Sequence, residues 1–183
     1  MKLSIIIPVY NEEKTILELL KKVKDVDIEK EIIVVNDSSN DKTREILEKI
    51  KERNIKIINH KKNQGKGAAI RTGLNNITGD IVIIQDADLE YDPKDYKKLI
   101  APITRGEATI VYGTRMSSLS KKDMYTLHYI GNKGLTLLTN ILYRSKISDM
   151  ETCYKVFKKD TLKNIRLRAK RFDFEPEITA KFL

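Results

Sequence analysis

The sequence is poor in several features, and each shortage narrows what the protein can be. Cys153 is its single cysteine, so an internal disulfide framework is excluded, and with no signal peptide visible we expect a reducing, cytoplasmic setting. No apolar run approaches the roughly 20 residues that a membrane-spanning helix needs. Two phosphate-binding patterns are missing, the Walker A loop and a G-x-G-x-x-G after the first strand. P-loop and dinucleotide-binding sites are therefore not expected.

The positive charge is unevenly distributed along the 183 residues. Residues 1–114 hold 20 Lys and Arg against 19 Asp and Glu, whereas residues 115–183 hold 15 against 7, which is +8 of the net +9. Such a basic surface can face nucleic acid, an anionic membrane or a phosphorylated substrate, or can serve solubility alone. Nucleic acid is the least favoured partner, because no stacking motif accompanies the basic residues.

The most informative stretch is 81–92, with the sequence IVIIQDADLEYD. Its first four residues, Ile81–Ile84, form a short apolar run that predicts a strand buried on both faces. Four carboxylates follow within seven residues: Asp86, Asp88, Glu90 and Asp92. Open α/β sheets bind ligands at the carboxyl ends of their strands, and hard oxygen ligands suit Mg²⁺ or Mn²⁺ bridged to substrate phosphates. The alternative is a solvated acidic turn.

Strands and helices alternate along the chain. The predicted strands are Leu3–Val9, Glu31–Val35, Ile55–Ile58, Ile81–Ile84, Ala108–Tyr112 and Tyr154–Phe157. Helical spacing of apolar residues predicts helices around 16–23, 41–51, 65–74, 93–105, 124–143 and 175–183. This alternation predicts one α/β domain over residues 1–183, with an open, twisted, mostly parallel sheet and helices on both faces.

Polar side chains follow three of the predicted strands. Tyr10-Asn11-Glu12 follows the first, Asn36-Asp37 the second, and Asp86-Ala87-Asp88 the fourth. In a doubly wound sheet these strand ends lie along one edge, so the side chains can converge on one ligand. A nucleoside diphosphate fits, with polar groups for base and ribose and a metal for the diphosphate. Gly65-Lys66-Gly67 opens a helix, where unpaired N–H groups can hold an anion.

Together these motifs resemble the family-2 glycosyltransferases, which have the Rossmann-like GT-A fold, and more closely their dolichol-phosphate mannose synthase-like branch. The matching stretches are IIIPVYNEEKTI, IIVVNDSSNDKT, NQGKGAAIRTG, GDIVIIQDADLEYDP, VYGTR and DMETCYKVF. The resemblance implies that residues 1–114 bind the nucleotide sugar and residues 115–183 the acceptor. The chain departs from the family pattern at one motif, where it has Asn36-Asp37-Ser38-Ser39 in place of the common Asp-Asp-Gly-Ser. Relatives also usually continue beyond the segment matching Arg171–Leu183, so we expect the chain to be shortened at its C-terminus.

The resemblance also implies roles for individual residues. Nucleotide-sugar contacts are implied for Pro8, Tyr10, Glu12, Asp37, Lys66, Asp86 and Arg115. The D-x-D pair is the metal and diphosphate site, and the implied metal ligands are Asp86, Asp88 and Glu90. The acceptor phosphate is implied to face Arg115, His128 and Lys133.

The implied activity is inverting transfer of a hexose from a nucleotide sugar of the GDP-mannose or UDP-glucose type to a polyprenyl or dolichyl phosphate. It would depend on Mg²⁺ or Mn²⁺, with Asp88 central to catalysis, and could take place on the cytoplasmic face of a membrane through peripheral association. A soluble hydroxyl acceptor would need a carboxylate base, for which Asp149 and Glu151 are candidates. Those two can instead cap a helix or pair with Lys155 or Lys146. A shortened nucleotide-sugar-binding protein with little activity is a further alternative.

Overall fold

A six-stranded sheet forms the centre of the protein, in a computed structural model that describes residues 1–113 and 126–183. The strands are β1 (Leu3–Val9), β2 (Lys30–Asn36), β3 (Ile55–Asn59), β4 (Ile81–Ile84), β5 (Ile110–Tyr112) and β6 (Lys155–Lys158). Their order is β3-β2-β1-β4-β6-β5. Strands β1 to β4 pair in parallel, whereas β6 is antiparallel to both of its neighbours. The predicted fold class, a mostly parallel α/β sheet, is confirmed.

Helices connect and cover these strands. They are α1 (Ile16–Asp25), α2 (Thr43–Glu48), α3 (Lys66–Leu74), α4 (Tyr96–Thr104), α5 (Thr126–Tyr143) and α6 (Phe174–Phe182). Short 3₁₀ helices at Pro93–Asp95 and Lys159–Leu162 precede α4 and follow β6. Helix α3 packs against β1 and β2, and α4 packs against β5 and β6. Among the described residues, no helix has the length and apolar character that crossing a bilayer requires.

The two central strands are buried along their whole length. Every residue of β1 and of β4 is buried, so both faces of these strands are covered by other parts of the protein. Covered strands of this kind carry near-continuous apolar sequences, since neither side chain direction meets water. This is the physical reason why both strands begin and end at the residues that their apolar runs predicted.

The pairing register brings the ends of β1, β2 and β4 to one edge of the sheet. The pairing of β1 with β4 ends where Ile6 faces Ile84, and the Gln85 N–H donates to the Ile6 carbonyl at 2.9 Å. On its other side, β1 stays paired with β2 as far as Val9, and the Asp37 N–H then donates to the Val9 carbonyl at 2.8 Å. The polar residues that follow all three strands therefore lie next to one another.

Candidate functional site

A cavity of about 470 Å³ lies at this edge of the sheet. Seven of the residues predicted to bind nucleotide sugar or metal line it: Pro8, Tyr10, Glu12, Asp37, Lys66, Asp86 and Asp88. They come from four separate segments of the chain, so the fold brings residues that are distant in sequence to one cavity. A larger cavity of about 620 Å³ lies between α3 and residues 159–167 and contains none of the seven. The chemistry of the lining residues therefore favours the smaller cavity as the functional site.

The loops after β1 and β2 are fastened to each other at the rim of the cavity. The Asn11 N–H donates to the Ser39 hydroxyl at 3.0 Å, and the Asn40 N–H donates to the Asn11 side chain at 2.8 Å. Asn11 and Ser38 adopt left-handed backbone conformations with φ of 57° and 62°. The Asn40 side chain also donates to the Tyr10 hydroxyl at 3.3 Å, and Tyr10 lines the cavity.

Asp37 is buried at the floor of the site and accepts hydrogen bonds from the loop before α3. Its carboxylate receives the Gln64 N–H at 2.9 Å and the Gly65 N–H at 2.7 Å. Nδ1 of His60 lies 2.6 Å from the same carboxylate, while Nε2 lies 2.9 Å from the Thr72 hydroxyl. Sequence reasoning missed His60, although it directly follows β3 at the same sheet edge. Asp37 thus positions the loop that carries Gly65 and Lys66.

The departure from the family pattern at Asn36 has a local explanation. The Asn36 side chain amide donates to the Asn59 side chain on β3 at 2.8 Å, and its oxygen accepts the Ser39 N–H and hydroxyl. An ionised aspartate could not make that first bond because it has no donor. Asn36 is buried and does not line the cavity, so its role is to join β2 to β3.

The two aspartates of the D-x-D pair have different surroundings. Asp86 is half-buried and forms an ion pair with Lys66, whose Nζ lies 2.7 Å from the Asp86 carboxylate. Asp88 is exposed and accepts the Glu90 N–H at 3.1 Å. Partial withdrawal from solvent, and then the charge of Asp86, raise the pKa of Asp88 from its ordinary value.

This donor set fits a hard divalent cation. Within the described residues, no three acidic, His or Cys side chains come together as a metal site of their own. Mg²⁺ and Mn²⁺ often bind through one or two carboxylates, with substrate phosphates completing the shell. Asp86 and Asp88 supply two such carboxylates on the cavity wall. The participation of Glu90, which is exposed and outside the cavity lining, stays a prediction.

A buried charge network lies behind the D-x-D pair. The Lys66 ammonium, paired with Asp86, is also 3.5 Å from the Glu175 carboxylate. Glu175 in turn pairs with the fully buried Lys155, whose ammonium also donates to the Met150 carbonyl at 3.1 Å. Buried charges need partners of this kind, because an unpaired one would carry a large desolvation cost. Sequence reasoning missed Glu175, which no local pattern connects with Lys66 or Asp86.

The predicted acceptor side is only partly described. Asp149 is buried and accepts a hydrogen bond of 2.8 Å from the Asn132 side chain on α5. Glu151 is half-buried, Lys133 is exposed on α5, and none of these three lines the 470 Å³ cavity. Arg115 and the side chain of His128 lie outside the described residues. The acceptor roles of these residues therefore stay predictions.

The glycines at the start of α3 allow another chain segment to approach closely. A Cβ atom at Gly67 would lie 2.9 Å from the Ala169 carbonyl, and one at Gly65 would lie 2.4 Å from the Lys170 carbonyl. The Ala68 N–H donates to that Lys170 carbonyl at 3.0 Å. One N–H group at the start of α3 therefore donates to a backbone carbonyl instead of remaining available for an anion. Two residues that sequence reasoning missed, Arg171 and Phe172, reach the cavity through this approach.

Comparison with known proteins agrees with the geometry. The family model described as "Glycosyl transferase family 2" matches residues 4–166. A UDP-N-acetylglucosamine--dolichyl-phosphate N-acetylglucosaminyltransferase of Methanococcus voltae is 32% identical, over 92% of this chain and 75% of its own length. A dolichol-phosphate mannosyltransferase of Pyrococcus furiosus is 28% identical, over 99% of this chain and 53% of its own length.

Solved structures show the same fold. Residues 1–349 of TarS from S. aureus superpose with a TM-score of 0.69 at 25% identity, covering 100% of this chain and 55% of TarS 1–349. Glucosyl-3-phosphoglycerate synthase from Mycobacterium tuberculosis, in complex with Mn²⁺, UDP and phosphoglyceric acid, gives a TM-score of 0.69 at 21% identity over 95% of this chain. The chain covers 61% of that structure, so both neighbours contain substantial parts that it does not match.

Proposed function

The chain belongs to glycosyl transferase family 2, and from this premise we propose that it transfers a hexose, with inversion, from a nucleotide sugar to a polyprenyl phosphate. The observation that carries the proposal is the convergence of seven predicted residues from four segments on one cavity of about 470 Å³. That volume lies within the range of ordinary small-ligand sites. The family model and the solved structures confirm the resemblance seen in the sequence for the family and the fold.

The nucleoside end of the donor fits the floor of the cavity. An ionised carboxylate accepts hydrogen bonds only, which suits the N3–H of uracil or the N1–H and amine of guanine. Asp37 is such a group, held in place by the Gln64 and Gly65 N–H groups. Pro8 and the exposed Tyr10 ring line the same cavity and offer apolar contact to base and ribose. This assignment leaves the choice between a UDP and a GDP sugar open.

The diphosphate end fits the D-x-D pair. Asp86 and Asp88 would hold Mg²⁺ or Mn²⁺, which supplies Lewis-acid stabilisation of charge on the departing diphosphate. Lys66 lies 2.7 Å from the Asp86 carboxylate and places a second positive charge beside the same phosphates. Glu175, which is itself paired with Lys155, lies 3.5 Å behind the Lys66 ammonium. The metal-bearing solved structure of the synthase supports this choice of ion.

A phosphate acceptor makes a general base unnecessary. A phosphate monoester has a second pKa of about 6, so at neutral pH its oxygens are already mostly deprotonated. The two curated relatives described above carry dolichyl or dolichol phosphate in their names, which supports the same acceptor class. Asp149, the candidate base for a hydroxyl acceptor, is buried and bonded to Asn132, so its position favours a structural role.

Peripheral contact with a membrane would bring the protein to such a lipid. Helix α5 exposes a set of large apolar side chains: Leu135, Leu137, Leu138, Ile141, Leu142 and Tyr143. Exposed cations flank them at Lys133, Arg144 and Lys146. Amphipathic helices with apolar and basic residues bind in the plane of anionic membranes.

A nucleotide panel tests the proposal. Thermal unfolding would be followed with UDP, GDP, UDP-glucose and GDP-mannose, each with Mn²⁺ and with chelator. We expect one nucleotide class to stabilise the protein and Mn²⁺ to increase the effect. Transfer to a short polyprenyl phosphate would then be compared with transfer to the matching alcohol. Binding without transfer to either acceptor would favour the alternative of a nucleotide-sugar-binding protein, and absence of any nucleotide binding would reject both.

A further inference from the structure

One wall of the nucleotide cavity is formed by the segment just before α6. Arg171 and Phe172 line the cavity together with Gly65 and Lys66. Both side chains are exposed, and Phe172 reaches 74% of its full accessibility, the highest value among the large apolar residues that the structure describes. A phenylalanine exposed to this extent on the wall of a polar cavity is available for contact with a ligand.

This wall is held in position without any ligand. The Arg71 guanidinium donates to the Arg168 carbonyl at 3.0 Å, and the Ala68 N–H donates to the Lys170 carbonyl at 3.0 Å. The Glu177 carboxylate accepts the Arg168 and Ala169 N–H groups at 2.8 and 2.7 Å. These bonds hold the backbone of the segment against α3 and α6, so the backbone needs no ordering when a ligand binds.

The cavity lining carries more negative than positive charge, so a second cationic side chain could contribute to binding a diphosphate. Four carboxylates line it: Glu12, Asp37, Asp86 and Asp88. The Lys66 ammonium is shared between Asp86 and Glu175. A nucleoside diphosphate adds further negative charge to this wall. The exposed guanidinium of Arg171 is placed to offset it, since a planar guanidinium can donate two parallel hydrogen bonds to phosphate oxygens.

We propose that Arg171 binds the phosphates of the nucleotide and that the Phe172 ring packs against its nucleoside part. The proposal rests on the nucleotide-sugar function above and adds two donor-binding residues to it. Gly65 makes the arrangement possible: a Cβ at this position would lie 2.8 Å from Cγ of Arg171, and its φ of 92° is one that other residues rarely adopt. Arg171 therefore reaches the cavity directly over Gly65.

Two variants, Arg171→Ala and Phe172→Ala, separate the two contacts. Binding of UDP, GDP, uridine and guanosine would be measured by calorimetry at low and high salt. Arg171→Ala should weaken diphosphate binding about tenfold or more, the effect of losing a charge-assisted hydrogen bond, and leave nucleoside binding unchanged. The loss of diphosphate affinity in Arg171→Ala should be smaller at high salt, because salt screens the interaction between charges. Phe172→Ala should weaken nucleoside and diphosphate binding by the same factor.

Matched controls remove charge or apolar surface elsewhere. Lys170→Ala deletes a neighbouring exposed cation outside the cavity lining, and Leu17→Ala deletes an exposed apolar side chain on α1. Both should bind every ligand as the unaltered protein does. If Arg171→Ala and Lys170→Ala bind diphosphate equally well, or if Phe172→Ala matches Leu17→Ala, the inference is wrong while the proposed function stands. If the unaltered protein binds no nucleotide, both fail together.

Discussion

At the scale of single residues, the two aspartates of the D-x-D pair differ in their surroundings. Asp86 is already paired with Lys66, whereas Asp88 is exposed and has its pKa raised by partial loss of solvent and by the charge of Asp86. A carboxylate in this situation gains more from a bound cation than one that is already paired with a lysine. Asp88 is therefore the residue through which metal and nucleotide binding should be coupled.

Replacing Asp88 by asparagine should abolish the dependence of nucleotide binding on Mn²⁺, because an amide is a much weaker ligand for a hard cation than a carboxylate. The fold should persist, since Asp88 is exposed. Calorimetric titration of UDP and GDP with and without Mn²⁺ measures the effect. Asp95→Asn, which removes another exposed carboxylate outside the cavity, serves as control. Equal binding by the unaltered protein in Mn²⁺ and in chelator would end the metal hypothesis.

Asp37 has a structural role in the fold, and the proposed function gives it a binding role as well. Asp37→Asn should weaken UDP or GDP binding by more than about 1.5 kcal/mol and also lower the free energy of unfolding by about 1–3 kcal/mol, because its buried carboxylate accepts two backbone N–H groups. Calorimetry and urea unfolding measure the two effects separately.

His60→Gln is the companion variant for Asp37. It removes the imidazole 2.6 Å from Asp37 and keeps the carboxylate, so stability should fall while most nucleotide affinity remains. An Asp37→Asn protein that is destabilised yet binds nucleotide normally would place the base elsewhere in the cavity.

At the scale of elements, the contact between α3 and residues 169–171 joins the two halves of the chain. Gly67→Ala should disturb it, because the new Cβ would lie 2.9 Å from the Ala169 carbonyl and 3.0 Å from both the Arg171 carbonyl and Cβ of Phe174. We expect a loss of about 1–3 kcal/mol in the free energy of unfolding, typical of an overfilled site, and weaker nucleotide binding. Urea unfolding and calorimetry provide the readouts.

Gly134→Ala on α5 is the control for that variant. No atom of the described residues lies within 4 Å of a Cβ at Gly134, so alanine should be neutral or stabilise by up to about 1 kcal/mol. If both alanine variants behave alike, close approach at α3 is not what requires glycine at position 67.

At the opposite end of the sheet, one carboxylate accepts hydrogen bonds from two other segments of the chain. Glu31 on β2 accepts hydrogen bonds from the Ser4 hydroxyl, the Thr78 N–H and the Lys2 ammonium. Burial alone would raise the pKa of Glu31, but these bonds outweigh it and lower the pKa from 4.5 to about 2. A carboxyl pKa that is lowered by folding stabilises the fold at every pH above the pKa of the unfolded chain. That stabilisation is lost as the pH falls from about 4.5 towards 2.

Glu31→Gln should therefore cost about 1–3 kcal/mol of unfolding free energy at pH 7, and the difference from the unaltered protein should narrow below pH 4. Urea unfolding across this pH range measures it. Glu18→Gln, which breaks an exposed pair with Lys22, should change stability by less than about 1 kcal/mol at any pH. A difference for Glu31→Gln that stays constant down to pH 2.5 would contradict the assigned pKa.

At the scale of the whole molecule, charge and exposed apolar surface belong to the same part of the chain. Residues 115–183 carry +8, and α5 within them exposes Leu137, Ile141 and Leu142. Binding to anionic vesicles should be peripheral and weaken with salt, since each cation near the headgroups contributes about 1 kcal/mol that salt screens. Sedimentation with anionic and neutral vesicles at low and high salt measures this.

A variant of α5 separates the contribution of its apolar side chains to vesicle binding from the contribution of the net positive charge. Ile141→Asn combined with Leu142→Asn should reduce vesicle binding, whereas Leu17→Asn, at an exposed apolar position on α1, should not. Failure to bind anionic vesicles at any salt concentration would argue against peripheral attachment and in favour of a soluble acceptor. Binding that survives high salt would assign the attachment to the apolar side chains and contradict the expected contribution of charge.

The sequence by itself determined the family and the order of the strands, and it predicted which polar residues meet at one edge of the sheet. Leu3–Val9 and Ile81–Ile84 have the predicted bounds, because a strand covered on both faces is apolar along its length and polar residues follow the apolar run. The polar residues after these strands were correctly expected to meet, because parallel strands end at the same sheet edge. Local sequence suffices wherever burial and direction follow from neighbouring residues.

The tertiary structure alone decided which distant residues complete the site. β6 inserts antiparallel between β4 and β5, and Glu175 and Arg171 reach Lys66 and the cavity from the far end of the chain. Arg71 and the Arg168 carbonyl that it binds are 97 positions apart. Periodicity reports that a side chain is buried or exposed but does not identify its partner. The partner is set by how α3, β6 and α6 pack together, which depends on the whole chain at once.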